Sequence, residues 1–248
     1  MMKVFRIMLK TELKLSLRGM DMFIFAICMP VVVTIILGVI FGNKPAFEGA
    51  EYTFMEQSFA ALSTISICAG GVMGLPLVLS DYRHKRILKR LKVTPVSPTM
   101  ILAVQGAIYA LYSVTSLMLI YFTSKLFFGF EFRGSLIVFI SSYLLVMISM
   151  FSIGFMVGGV AKDIKMASVI ASILYFPMLI FSGATLPYEV MPTVLQRVAD
   201  IMPLTQGIKL LKNTSLNLPI DNVILPLVLM GIIALACTGI AIKFFKWE

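Results

Sequence analysis

The chain has 248 residues, 59% of them hydrophobic and 13% charged, and its mean hydropathy of +0.98 excludes a water-soluble domain. A formal net charge of +9 would suit a nucleic-acid binder, but no basic face interleaved with aromatics sits on a soluble element, so no nucleic acid is expected. Cys28, Cys68 and Cys237 all fall in apolar stretches, which leaves neither a disulfide framework nor metal-ligand spacing.

Taken in order, the elements read as an all-α polytopic membrane protein forming one domain over residues 1–248. Residues 1–20 are an interfacial amphipathic helix. Lys3, Arg6, Lys10, Lys14 and Arg18 recur on one stripe, while Val4, Phe5, Met8, Leu9, Leu13 and Leu15 fill most of the other side, a pattern that suits the headgroup plane of a lipid membrane. Gly19 lets the chain turn into the first span. Six stretches meet the bilayer length of about 20 residues: 22–42, 59–80, 100–122, 136–160, 167–186 and 223–245. The first is too long and too late for a cleaved signal peptide.

The short loop at 43–58 carries Glu48, Glu51 and Glu56. On the second span Ser63, Ser66, Gly70 and Met73 fall on one face at 100° per residue. Gly70-x-x-x-Gly74 permits close helix approach there, and Pro76 bends the helix near its end. Between the second and third spans lies the one dense charge cluster, with Arg83, Lys85, Arg86, Lys89, Arg90 and Lys92 inside ten residues. Asp81 reads as the cap of a short helix over 82–93, and Pro95 ends it. Ser97-Pro98 then opens the third span. Ile87, Leu88 and Leu91 share a narrow face, with His84 along it and the cations opposite. Such a segment is either a topology signal or a docking helix on the cytoplasmic surface.

The fourth span repeats the small-residue device at Gly154-x-x-x-Gly158. The fifth places Ser168, Ser172, Tyr175, Leu179 and Ser182 on one stripe, a pattern of helix–helix glue or of a binding path, and Pro177 removes one backbone hydrogen bond from it. Residues 187–213 are too short and too polar to span. They read as one or two extracytoplasmic helices, re-entrant or interfacial, with Val194, Leu195, Val198 and Ile201 on one side. Of the 21 Lys and Arg, 15 lie in the arm, the 81–99 loop, the 161–165 loop and the tail. That asymmetry predicts a multi-pass protein of the cell membrane with both termini cytoplasmic.

Several chemistries are missing from the sequence. No phosphate loop, no H-E-x-x-H and no acid at mid-bilayer occurs, so the chain is expected to bind no cofactor, hydrolyse no ATP itself and use no ion gradient. It carries no catalytic or metal-ligating constellation, and a membrane-embedded enzyme has nothing to stand on.

Two runs resemble the ABC-2 type permeases, the membrane subunits of ATP-binding-cassette exporters. One is Leu79-Ser-Asp-Tyr-Arg-His-Lys-Arg-Ile-Leu-Lys-Arg-Leu-Lys-Val-Thr-Pro-Val-Ser-Pro98. The other is Tyr175-Phe-Pro-Met-Leu-Ile-Phe-Ser-Gly-Ala-Thr-Leu-Pro187, followed by Met191-Pro, Leu195-Gln and Met202-Pro-Leu-Thr205. Where many family members carry a Glu and a Gly-Thr pair in the first run, this chain has Asp81 and the basic run Arg83–Arg86. The resemblance implies a half-transporter that pairs with a second copy or a related permease. A separate cassette ATPase would hold ATP and Mg beneath it. Tyr82, Arg83, His84, Arg86, Ile87, Leu88, Arg90 and Leu91 would form the coupling helix seated on the ATPase. Ser63, Ser66, Gly70 and Met73 on the second span, with Ser172, Tyr175, Phe176 and Ser182 on the fifth, would line the path of an amphipathic substrate such as a drug, antibiotic, peptide or lipid. The reading from another class is a non-transporting membrane partner of an ATPase, serving as sensor, immunity component or scaffold.

Overall fold

A computed structural model of the protein describes residues 2–42, 44–46, 49–87, 97–184, 188, 191–218 and 223–244. Among these residues the secondary structure is helical, apart from one isolated bridge between Pro45 and Thr53. Helix α1 spans Met2–Gly19. The corner that follows falls at Met20, whose φ of 60° is left-handed, one residue beyond the glycine expected to make it. Helix α2 comprises Asp21–Phe23, a π-turn at Ile24–Cys28 and Met29–Phe41. Helix α3 covers Phe54–His84 and includes a second π-turn at Ala69–Gly74. Then come α4 (Pro98–Phe128), α5 (Leu136–Val160), α6 (Ile164–Phe181), α7 (Thr193–Ile201), α8 (Pro203–Leu216) and α9 (Ile224–Phe244). Six of these, α2 to α6 and α9, are long and apolar enough to cross a membrane.

Several helix ends have a local cause. Thr53 and Glu56 form a reciprocal capping box at the start of α3, with Glu56 N–H donating to Thr53 Oγ1 at 3.2 Å and Thr53 N–H to Glu56 Oε2 at 2.7 Å. Ser97 and Asp163 cap α4 and α6 by accepting from Met100 N–H and Met166 N–H. Gly129 and Asn217 close α4 and α8 in the left-handed region, at φ 61° and 56°. Both π-turns end two residues before a proline. Met29 N–H reaches back to Ile24 O, and Leu75 N–H to Gly70 O, five residues rather than four. Pro30 and Pro76 have no N–H and crowd the preceding turn, and the widened turn accommodates both defects. The two π-turns touch each other.

Helix α3 is the axis of the bundle: 83% of its apolar window is buried, against 28% for α6 and 17% for α9. Its glycines explain how the neighbours come so close. A Cβ on Gly74 would lie 2.7 Å from the Tyr109 ring of α4, and one on Gly71 would lie 2.7 Å from the Phe151 ring of α5. A Cβ on Gly154 of α5 would be driven into the Gly71 carbonyl oxygen, so these two backbones meet without side chains between them.

Two expectations are corrected by this fold. The separate helix expected to start at 82 does not start there: Tyr82, Arg83 and His84 continue α3. Asp81 sits inside that helix, with Lys85 Nζ on its carboxylate at 2.7 Å. The chain turns at Arg86, whose φ is 55°, and residues 88–93 lie outside the described residues. Glu56 is not a loop carboxylate; its side chain is 4% exposed, with Arg133 Nε 3.2 Å from Oε1 and Nη2 3.3 Å from Oε2. In the segment after α6 the two helices differ in burial. Leu204, Leu210 and Leu211 of α8 are fully enclosed against α3 and α5, while α7 turns Val194 and Ile201 outward.

Candidate coupling and translocation sites

The bundle has two ends. One carries α1, the foot of α3, the start of α4 and the turn at 161–163. The other carries residues 44–46 and 49–53, the 129–135 loop and the α7–α8 pair.

At the first end a polar cluster ties three helices together. Along α1 the inward stripe is Phe5, Met8, Leu9, Glu12, Leu13 and Ser16, at helical spacing. Tyr82 of α3 donates its hydroxyl to Glu12 Oε2. Gln105 of α4 donates from Nε2 to Tyr82 Oη at 3.0 Å and to Glu12 Oε2 at 3.2 Å. One turn along, Tyr112 Oη donates to Ser16 Oγ at 2.8 Å. Glu12 and Gln105 were not singled out by sequence reasoning. A signal was there: Glu12 is the single acid among the five cations of the arm, and it falls on the apolar face.

Arg83, next to Tyr82, points the other way. Its guanidinium donates to Ala161 O at 2.5 Å, to Gly158 O at 2.9 Å and to Gly159 O at 3.5 Å. Those carbonyls belong to the C-terminus of α5, which has no intrahelical partners for them and carries the negative end of the helix dipole. Arg83 is therefore engaged within the protomer, as a cap on α5. Of the other residues assigned to coupling, His84 and Arg86 are exposed and Ile87 is half-buried, while Leu88, Arg90 and Leu91 lie outside the described residues.

The residues assigned to the path separate by burial. Ser63 and Ser66 are 0% exposed, and Ser63 donates back to Ala60 O at 2.8 Å. Gly70 faces Tyr109, with a Cβ position 3.0 Å from its ring. Tyr175 is buried among α3 and α6, and Ser182 is 1% exposed. Met73 and Ser172 are half-buried, and Phe176 is 51% exposed. The enclosed residues are shut off as the helices stand, whereas Met73, Ser172 and Phe176 are at least partly accessible.

At the second end Tyr188 Oη donates to Asp200 Oδ1 at 2.8 Å, and Lys209 Nζ donates to the same oxygen at 2.6 Å while lying 4.5 Å above the Tyr188 ring. Burial acts to raise the Asp200 pKa, but the hydrogen bonds from Lys209 and Tyr188 and the Lys209 charge outweigh it and hold the carboxyl below its usual value. Among the described residues no group of three or more His, Cys, Asp or Glu could hold a metal ion.

A family model described as ABC-2 type transporter matches residues 3–216. Nodulation protein J of Rhizobium leguminosarum bv. viciae is 34% identical over 74 residues, a stretch that covers 30% of this chain and 29% of that protein. The matched part is thus under a third of that relative's length.

Proposed function

Because the chain belongs to the ABC-2 type transporter family, we propose that it is the permease subunit of an exporter driven by a separate cassette ATPase. It forms the membrane path for an amphipathic substrate, paired with a second copy or a related permease, and binds no nucleotide itself. The end bearing α1 faces the cytoplasm and the end bearing the α7–α8 pair faces outward, in keeping with the cation asymmetry.

One observation carries this reading. The dense cation cluster begins on the last turn of the bundle's most buried helix, and that turn is tied on both sides, by Tyr82 to α1 and α4 and by Arg83 to α5. A displacement of the 85–97 segment by an ATPase is therefore delivered to the core of the bundle and not to a loose loop. Met73, Ser172 and Phe176 supply the reachable wall of the path, and Ser63, Ser66, Gly70, Tyr175 and Ser182 join it when α3 and α6 separate.

The test compares two substitutions in the cluster after membrane insertion has been checked. Burying a charge on an apolar contact is costly, so Leu91→Asp should abolish ATPase co-purification and export. Lys89→Ala should reduce both only modestly, since an exposed ion pair is worth about 0–1 kcal/mol. Full assembly and export in Leu91→Asp, with insertion failing only when cations are removed, would leave the cluster as a topology signal.

A further inference from the structure

The α7–α8 end holds a cavity of about 620 Å³ between the tops of α3, α8 and α9, in the size range of small-ligand sites. Its lining is mixed, with both cations on α8 and only apolar residues on α9. Thr205, Lys209 and Lys212 line it from α8, and their spacing of four and three residues puts them on one face of that helix. Leu225 and Leu229 line it from α9. Leu225 is 64% exposed although it lines the cavity, so the cavity reaches the apolar outer flank of α9. Thr205 is 1% exposed and its hydroxyl has no hydrogen-bond partner within the protein. Of the charged side chains in the lining, two are cationic and one, Asp200, is anionic; Asp200 pairs with Lys209 and accepts from Tyr188, so the lining keeps a net excess of one cation.

We propose that this cavity binds an amphipathic molecule carrying a phosphate group, its headgroup between Lys209 and Lys212 and its apolar chain leaving past Leu225 and Leu229. Two ammonium groups one turn apart can straddle one phosphate, which would share Lys209 with Asp200 and the Tyr188 ring, and Lys212 with the Tyr52 ring 5.6 Å away. The hydroxyl of Thr205 offers a further donor at the inner end. An apolar flank admits a chain that stays in lipid while the headgroup swings in. The leaflet that supplies the molecule follows from the topology proposed above, but the cavity does not depend on it.

The experiment uses the full chain in nanodiscs of phosphatidylcholine containing a trace of diazirine-tailed phosphatidylglycerol or diazirine-tailed phosphatidylcholine. The phosphatidylglycerol probe should label residues 224–243 preferentially, and a soluble alkyl phosphate should compete where inorganic phosphate does not. Lys209→Gln with Lys212→Gln should cut that labelling roughly tenfold, the loss of about one charge-assisted contact. Leu229→Trp, which fills the cavity and keeps both charges, should cut it as well, and this variant decides alone if the lysine pair fails to fold. Labelling that ignores the headgroup, or that survives Leu229→Trp, overturns the site. With a partner ATPase and ATP added, a resident bilayer lipid stays bound through turnover and a transported amphiphile is released, which separates the two sources. Labelling needs no ATPase, so a failure of the permease reading leaves this outcome intact.

Discussion

Replacing Arg83 by methionine keeps the length and apolar stem of the side chain and removes every donor. Three carbonyls at the C-terminus of α5 then lose their partner, two of them held at 2.5 and 2.9 Å and the third, at 3.5 Å, at the limit of a hydrogen bond. Hydrogen bonds from a charged donor are worth about 1.5–3 kcal/mol each; with two short bonds, a third that adds little, and roughly half the value lost to solvent screening of this half-buried side chain, Arg83→Met should destabilise the protein by about 2–3 kcal/mol. For a chain of this size that corresponds to roughly 5–10 °C in Tm. Cys68, wholly enclosed, reports unfolding by its reaction with a thiol dye once the partly exposed Cys28 and Cys237 are replaced by serine. Arg83→Lys should recover only part of the loss, because one ammonium cannot span three carbonyls in the way a planar fork does. An unchanged midpoint in Arg83→Met, combined with loss of the ATPase partner, would make Arg83 a docking residue and refute the capping assignment.

Two further outcomes are expected. Gly154→Ala places a methyl against the Gly71 carbonyl, which no rotamer change relieves, so overpacking of about 1–3 kcal/mol should exceed the helix-propensity gain of about 1 kcal/mol. Gly231→Ala has nothing within 4 Å of its Cβ and should leave the midpoint unchanged or raise it; equal midpoints for the two variants would contradict the close approach. The Asp200 carboxyl is held below its usual pKa of 3.8, so its contribution to the α7–α8 pair is complete above that pH and is lost as pH falls through the depressed value. Hydrogen exchange over residues 191–216 should accelerate on moving from pH 7 to pH 3 beyond the intrinsic chemical change. Asp200→Asn should remove that excess, and its persistence there would assign it elsewhere.

The six spans were legible because a bilayer-length apolar run is a strong signal, and the expected fourth span coincides with Leu136–Val160 to the residue. The foot of α3 was not. An aspartate after an apolar run reads as an N-cap, yet Asp81 accepts from Lys85 one turn further along the same helix, and what ends the helix is a left-handed arginine that no composition rule marks. The stripe Ser63, Ser66, Gly70 and Met73 assumed an uninterrupted 100° step. The π-turn at Ala69–Gly74 changes that step midway, and burial of α3 on almost every side removes the meaning of a single exposed face. The cluster of Glu12, Tyr82 and Gln105 joins residues 70 and 93 positions apart. Local patterning flags such residues one by one and cannot pair them.

The contact between Gly71 and Gly154 has a mechanical consequence. Side chains act as springs between helices: rotamers shift, methyl groups slide, and a displacement is absorbed within a few ångströms. A backbone resting on a backbone has no such compliance, and the Arg83 clasp joins the same two helices again at their feet. Helices α3 and α5 therefore translate as one stiff strut. Whatever opening and closing the protein undergoes must be taken up at the joints where side chains intervene, at Tyr109 against α4 and at Tyr175 between α3 and α6.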